Sequence, residues 1–130
     1  MDTATQQPSR GRLWTGRILS ALPILFMIGG GLWSLTKPPQ AIESMRKFGW
    51  EEHSLQLVAA LEVVSALLYA IPQTAVLGAM LLTGYLGGAV ATHLRVGDPG
   101  WPTAVVMGIL VWLGLYLREP RLGALVPLRK

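Results

Sequence analysis

Apolar positions are gathered into four stretches of the 130-residue chain, Ile18 to Leu35, Leu55 to Ile71, Ala75 to Leu94 and Thr103 to Leu117, with the polar positions collected between them. Each stretch is about 15 to 20 residues long, close to the roughly 20 that a helix needs to cross about 30 Å of hydrocarbon. The pattern predicts an all-α fold: a four-helix antiparallel transmembrane bundle, with helices at about 16–35, 54–71, 74–95 and 101–118 in a single membrane domain over residues 1–130.

Breakers and aromatics place the ends. Lys37-Pro38-Pro39 stops the first run, Pro72-Gln73 leaves only a tight turn between the second and third, and Gly97-Asp98-Pro99-Gly100 closes the third. Trp14, Trp33, Trp50 and Trp101 stand at run boundaries, where amphipathic rings favour the headgroup layer, while Trp112 stands inside the last run. Between the first and second runs, Ala41 to Trp50 spaces Ile42, Met45, Phe48 and Trp50 so that a short amphipathic helix is expected to lie in the interface rather than cross it.

Composition supports the membrane reading, because 52% of residues are hydrophobic and only 14% charged, too few polar residues to cover a water-soluble surface. Arg10, Arg12 and Arg17 ahead of an apolar stretch ending in Gly29-Gly30-Gly31 resemble a cleaved signal, but the apolar character resumes at Leu32, Trp33 and Leu35, so an uncleaved helix is expected. With four spans, one side holds Arg10, Arg12, Arg17, Arg118, Arg121, Arg129 and Lys130, and the other holds Lys37, Arg46, Lys47 and Arg95. Short cytoplasmic segments are enriched in Lys and Arg, so both termini are expected in the cytoplasm, with the protein in the bacterial cytoplasmic (inner) membrane. The basic charge then serves topology and anionic headgroups rather than nucleic acid, for which no reading module is legible. The chain has no cysteine, which excludes a thiol relay or a thiolate-held iron–sulfur cluster on this chain. It also lacks a phosphate-cradling glycine loop, and no catalytic constellation stands out, so the reading leans away from an enzyme.

The remaining chemistry is a handful of polar residues at membrane depth. Glu62 lies eight residues beyond Ser54, about 12 Å along the second helix, near the bilayer middle. An isolated ionised carboxylate in hydrocarbon is so costly that a proton or a partner must intervene, and no Lys or Arg lies inside a run away from its ends. Candidate partners are Ser65 and Tyr69 on its own helix, Thr83 and Tyr85 on the third, and Trp112 on the fourth. Glu62 reads either as a proton relay or ligand-binding acid, or as a tie between two helices. On the third helix Gly84, Gly87 and Gly88 form a flat face suited to helix packing. Tyr85 reaches the depth of Glu62, and His93 and Arg95 emerge at the outer rim, where they either meet a ligand headgroup or satisfy the rim. His53 and His93 share a depth, but a rim histidine bonded to Glu51, Glu52 or a lipid phosphate is the expected arrangement, and no metal site is assigned.

The segments "WTGRILSALPILF", "LEVVSALLYAIPQTAVLGAMLLTGYLGGAVATHLRVGDP" and "VWLGLYLREPRLGALVPLR" resemble the DoxX-like family of small bacterial four-helix membrane proteins over nearly the whole length. The resemblance places Glu62, Tyr85, Gly84, Gly87, Gly88, His93 and Arg95 at family motif positions, and implies a compact membrane bundle, some of whose relatives are linked to quinone-coupled oxidation or redox-protective complexes. No reaction comes with those residues. Three functions follow as expectations: a non-catalytic subunit or accessory protein of a membrane complex, alone or as a homo-oligomer; a binder or carrier of a small lipophilic molecule such as a quinone, through Glu62, Tyr85, His93 and Arg95; or a quinone-coupled oxidoreductase subunit whose redox centre comes from a partner protein.

Overall fold

The computed structural model describes residues 8–129; Lys130, counted above toward topology, and the first seven residues of the expected domain lie outside the described residues. Five α-helices follow one another: α1 (Arg10–Leu35), α2 (Pro39–Lys47), α3 (Ser54–Ala70), α4 (Ala75–Arg95) and α5 (Trp101–Arg118). No strand occurs among the described residues. The helical stretches Arg10–Leu35, Pro72–Arg95 and Trp101–Arg118 are long and apolar enough to cross a membrane, and Ser54–Ala70 is a shorter apolar helix of 17 residues.

Local chemistry explains the boundaries. Ser9 caps α1 by accepting the Arg12 N–H at 3.1 Å, so the helix begins at Arg10, six residues before the predicted start near residue 16. Helicity continues across Arg10 to Trp14 because nothing there breaks it. Pro39 opens α2, the position where proline's missing N–H costs nothing, and the helix ends at Lys47, so it sits earlier than the amphipathic Ala41 to Trp50 reading placed it. Gly49, at φ +83°, then lets the Gly49 N–H reach Arg46 O and the Trp50 N–H reach Met45 O. Gly97, at φ +72°, closes α4 the same way, with bonds to Leu94 O and from Asp98 N to His93 O. Between α3 and α4 the chain makes a single 3-10 turn, Pro72–Thr74.

The four long helices pack in a ring: α1 against α3 and α5, and α4 against the same two. Neighbours run in opposite directions. Ser20 faces Tyr69 and Gly31 faces Ala59 across α1 and α3, whereas Gly78 faces Tyr69 and Tyr85 faces Glu62 across α4 and α3. Small buried residues, Ala66, Ala75 and Ala79, let the backbones approach, and Met27, Leu82 and Leu115 fill the space between them. Outward faces carry exposed Ile18, Leu25, Leu57, Met80 and Ile109, an arrangement that suits lipid and not water.

Glycine placement decides where the helices touch. A Cβ on Gly31 would lie 2.5 Å from Val63 Cγ2 and 3.2 Å from Ala59 O, one on Gly16 would lie 2.8 Å from Arg118 Cγ, and one on Gly78 would overlap the backbone of Tyr69. By contrast, a Cβ on Gly84, Gly87 or Gly88 would meet nothing within 4 Å. The expected packing face of α4 is therefore open within this chain, and the close contacts fall on Gly16, Gly31, Gly78 and Gly114 instead.

Candidate functional site

Tyr69 shows what a satisfied polar group looks like here. Its ring is fully buried, its hydroxyl donates to Val111 O at 2.6 Å, and Ser20 Oγ lies 3.0 Å away. A phenol has one hydrogen, so Ser20 is the donor in the second pair. The residue ties α3 to α1 and α5 and is not the partner of Glu62. Thr83 and Trp112 are likewise taken by each other: the indole Nε1–H donates to Thr83 Oγ1 at 2.7 Å, and Thr83 Oγ1 donates to Ala79 O at 2.7 Å.

Glu62 is left with Tyr85, whose hydroxyl donates to Glu62 Oε2 at 3.1 Å. Of the candidates drawn from the sequence, this is the bond that forms. The carboxylate also lies beside α1, since the two glycines Gly30 and Gly31 leave the Glu62 oxygens 3.6 Å from where their Cβ atoms would be. Glu62 thus sits inside the ring, between α1 and α4. Every ion pair among the described residues lies near a helix end, and Glu62 belongs to none. The glycine run was legible as a small-residue stretch, but its use as the wall behind the acid was not, because that depends on which face of α1 meets α3.

Tyr85 connects this acid to a cavity of about 380 Å³ bounded by α4, α3 and the segment after α2. Gly84 and Gly88 form part of its wall, Tyr85 stands at its deep end, Thr92 and His93 stand at the other, and Phe48 and Trp50 supply aromatic faces. From Tyr85 to His93 is eight residues, about 12 Å of helix. The lining is mainly apolar with a few polar groups at its ends, the usual character of a site for a small lipophilic molecule.

The rim is fastened rather than free. His93 Nδ1 lies 2.7 Å from Ala89 O, which requires the hydrogen on Nδ1, and its ring packs on Phe48 with centroids 4.7 Å apart. Arg95 donates through a terminal nitrogen to Phe48 O. Lys47 reaches Asp98 Oδ1 at 2.5 Å, and Asp98 Oδ2 accepts the Gly100 N–H at 2.8 Å. Those two bonds hold the Asp98 carboxyl below the usual range for an aspartate. The structure therefore brings Tyr85 and His93 to the cavity wall, sets Glu62 behind Tyr85, and uses Arg95 to hold down the segment that roofs the cavity. His53 stands apart, 3.2 Å from Glu51 Oε2. Phe48 and Trp50 were singled out in the sequence only as interface anchors; their place in the cavity wall follows from a contact 47 residues away along the chain.

A model of the DoxX-like family matches residues 18–114, a span that runs from α1 into α5 and includes the whole cavity. No curated protein and no solved structure matches the chain.

Proposed function

The chain belongs to the DoxX-like family of membrane proteins, and on that premise we propose that it is a multi-pass protein of the bacterial cytoplasmic membrane that holds a small lipophilic molecule, such as a quinone, in the cavity between Tyr85 and His93. All four long helices cross the bilayer in this reading, and both termini are cytoplasmic. The observation that carries it is the cavity: aromatic faces from Phe48 and Trp50 suit a flat ring, the Thr92 hydroxyl suits a carbonyl oxygen, the Tyr85 oxygen can accept from the hydroxyl of the reduced ring, and the volume suits a ring-sized head. Glu62 supports the deep end by accepting the Tyr85 hydrogen. A bound quinone would supply two-electron chemistry, and with no cysteine in the chain any thiol or iron–sulfur relay falls to a partner protein.

Trp50 makes this measurable. A short-chain benzoquinone titrated into the detergent-purified protein is expected to quench tryptophan fluorescence saturably, with Trp50→Phe removing the saturable part. Gly88→Leu, which places a side chain in the cavity, should abolish it, and Gly29→Leu on the open face of α1 should not. Quenching that survives both Trp50→Phe and Gly88→Leu defeats the proposal.

A second reading has its own observation. The open face of Gly84, Gly87 and Gly88 is free to receive another helix, which would make the protein a non-catalytic subunit or a homo-oligomer. Mild solubilisation of native membranes followed by pull-down would find a stoichiometric partner or a second copy in that case. A monomer carrying only a small molecule would favour the cavity.

A further inference from the structure

The ends of the ring differ in charge. Around α2 the four basic residues Lys37, Arg46, Lys47 and Arg95 are matched by the four acids Glu43, Glu51, Glu52 and Asp98. At the end near the termini Arg10, Arg12, Arg17, Arg118, Arg121 and Arg129 face a single acid among the described residues, Glu119, and Arg121 already holds it, Nε to Oε1, at 2.8 Å. Arg12 and Arg118 therefore lack any carboxylate among the described residues.

Neither of these two arginines is a loose surface side chain. Arg12 donates to Tyr116 O at 3.1 Å with its guanidinium carbon 5.4 Å above the Tyr116 ring, and Arg118 donates to Tyr69 O at 3.5 Å with its guanidinium carbon 4.9 Å above the Tyr69 ring. The Nε of each is buried and has no acceptor. Arg118 packs against Gly16, one turn beyond Arg12 on α1, so both belong to the same corner of α1 and α5. Two partly buried guanidiniums with carbonyl and ring contacts but no counter-charge among the described residues call for an anion.

Tyr116 links that corner to a second feature. The same ring lines an open apolar groove of about 620 Å³ between α4 and α5, with Gly87, Val90, Ile109 and Trp112 along its length and Leu122 at its end. We propose that the groove and the arginine corner together form a site for one anionic phospholipid, an acyl chain lying along α4 and α5 and the phosphate resting on Arg12 and Arg118. The charged corner chooses this occupant over a second protein chain: a lipid of that leaflet delivers its phosphate at the depth of the helix ends and its tail along the helices. The site requires only membrane insertion and is independent of the cavity at the other end.

Native mass spectrometry of the detergent-purified full chain, titrated separately with phosphatidylglycerol, phosphatidylcholine and inorganic phosphate, tests it. Phosphatidylglycerol is expected to bind about tenfold more tightly than phosphatidylcholine, whose choline offsets the phosphate charge that the two arginines meet. Arg12→Gln/Arg118→Gln should erase that preference, and Gly87→Leu, where the new side chain has open space and enters the groove, should weaken both lipids. Equal binding of the two lipids by the unaltered protein overturns the proposal without any variant, as does a preference that survives the double substitution. Inorganic phosphate binding as tightly as phosphatidylglycerol, with Gly87→Leu inert, would mean a free-phosphate site and would equally overturn it.

Discussion

Gly31 and Gly84 are the same residue type inside the same kind of helix, yet the space where a Cβ would go is filled at one and empty at the other. Alanine at Gly31 must push Val63 aside and part α1 from α3, and alanine at Gly78 meets Tyr69 backbone, which cannot turn away as a side chain can. Overpacking of this sort costs about 1–3 kcal/mol. At Gly84 the only change is the gain of a better helix former, about 0.5–1 kcal/mol in the other direction. Thermal unfolding of the purified monomer should therefore show Gly31→Ala and Gly78→Ala melting lower than the parent, and Gly84→Ala at or above it; equal damage from all three would refute the assignment. Glu62 obeys a related logic. Glu62→Gln keeps an oxygen for the Tyr85 hydroxyl and should hold its melting point near the parent's, while Glu62→Ala orphans that donor at about 1–3 kcal/mol. The shared depth of Glu62 and Tyr85 was legible in the sequence because depth can be counted along a helix, while the choice of Tyr85 over Ser65, Tyr69, Thr83 and Trp112 was not. The roles of the glycines were not, since spacing gives a stripe but not the neighbour that the stripe meets.

Among the elements, α2 depends most on contacts distant in sequence. Its end is held by Lys47 on Asp98, 51 residues away, and by Arg95 on Phe48 O, 47 residues away. No periodicity reveals such pairs, which is why His93 and Arg95 read equally well as a ligand mouth and as a satisfied rim. The runs and breakers were more informative: proline and glycine act on their own backbone, so α1 ends before Pro38-Pro39 and α4 ends before Gly97 as the sequence implies. The Lys47–Asp98 contact makes this rim sensitive to acid. Asp98 sits below its ordinary value when folded, chiefly through the Lys47 bond and then the Gly100 N–H. Its unfolded value is about 3.9, so the stabilisation is complete above about pH 4 and is lost as pH falls through the lower folded value. Trp50 stands beside this clamp, and its fluorescence should report loosening of α2 on acidification below about pH 4. Asp98→Asn should loosen the rim at neutral pH and flatten the acid response. An unchanged acid profile in Asp98→Asn would place the titrating group elsewhere.

At the scale of the whole molecule the charge imbalance is what the proposed orientation rests on. Acids match the basic residues around α2, whereas near the termini six arginines face one glutamate among the described residues, and under the positive-inside bias the proposed orientation keeps the arginine-rich end in the cytoplasm. In the proposed topology every crossing alternates, including α3. Its 17 residues span about 25 Å, a little under the hydrocarbon thickness, a deficit that local thinning accommodates at modest cost. If α3 instead lay in the interface, Glu62 would reach water, and the Tyr85 bond at mid-helix depth would lose its reason. Alkaline phosphatase, active only outside the cytoplasm, separates these cases when fused at three points, after Gly49, Gly97 and Arg129. Fused after Gly97 the enzyme should be active, because three crossings place the α4–α5 loop on the far side; fused after Arg129 it should be silent, because a fourth crossing returns the chain. Activity at Arg129 with silence at Gly97 would mean either that α3 fails to cross, in which case the fusion after Gly49 is active, or that the topology is inverted and the arginine corner lies in the outer leaflet, in which case that fusion is silent; activity at Gly97 and Arg129 together would mean that α5 fails to cross.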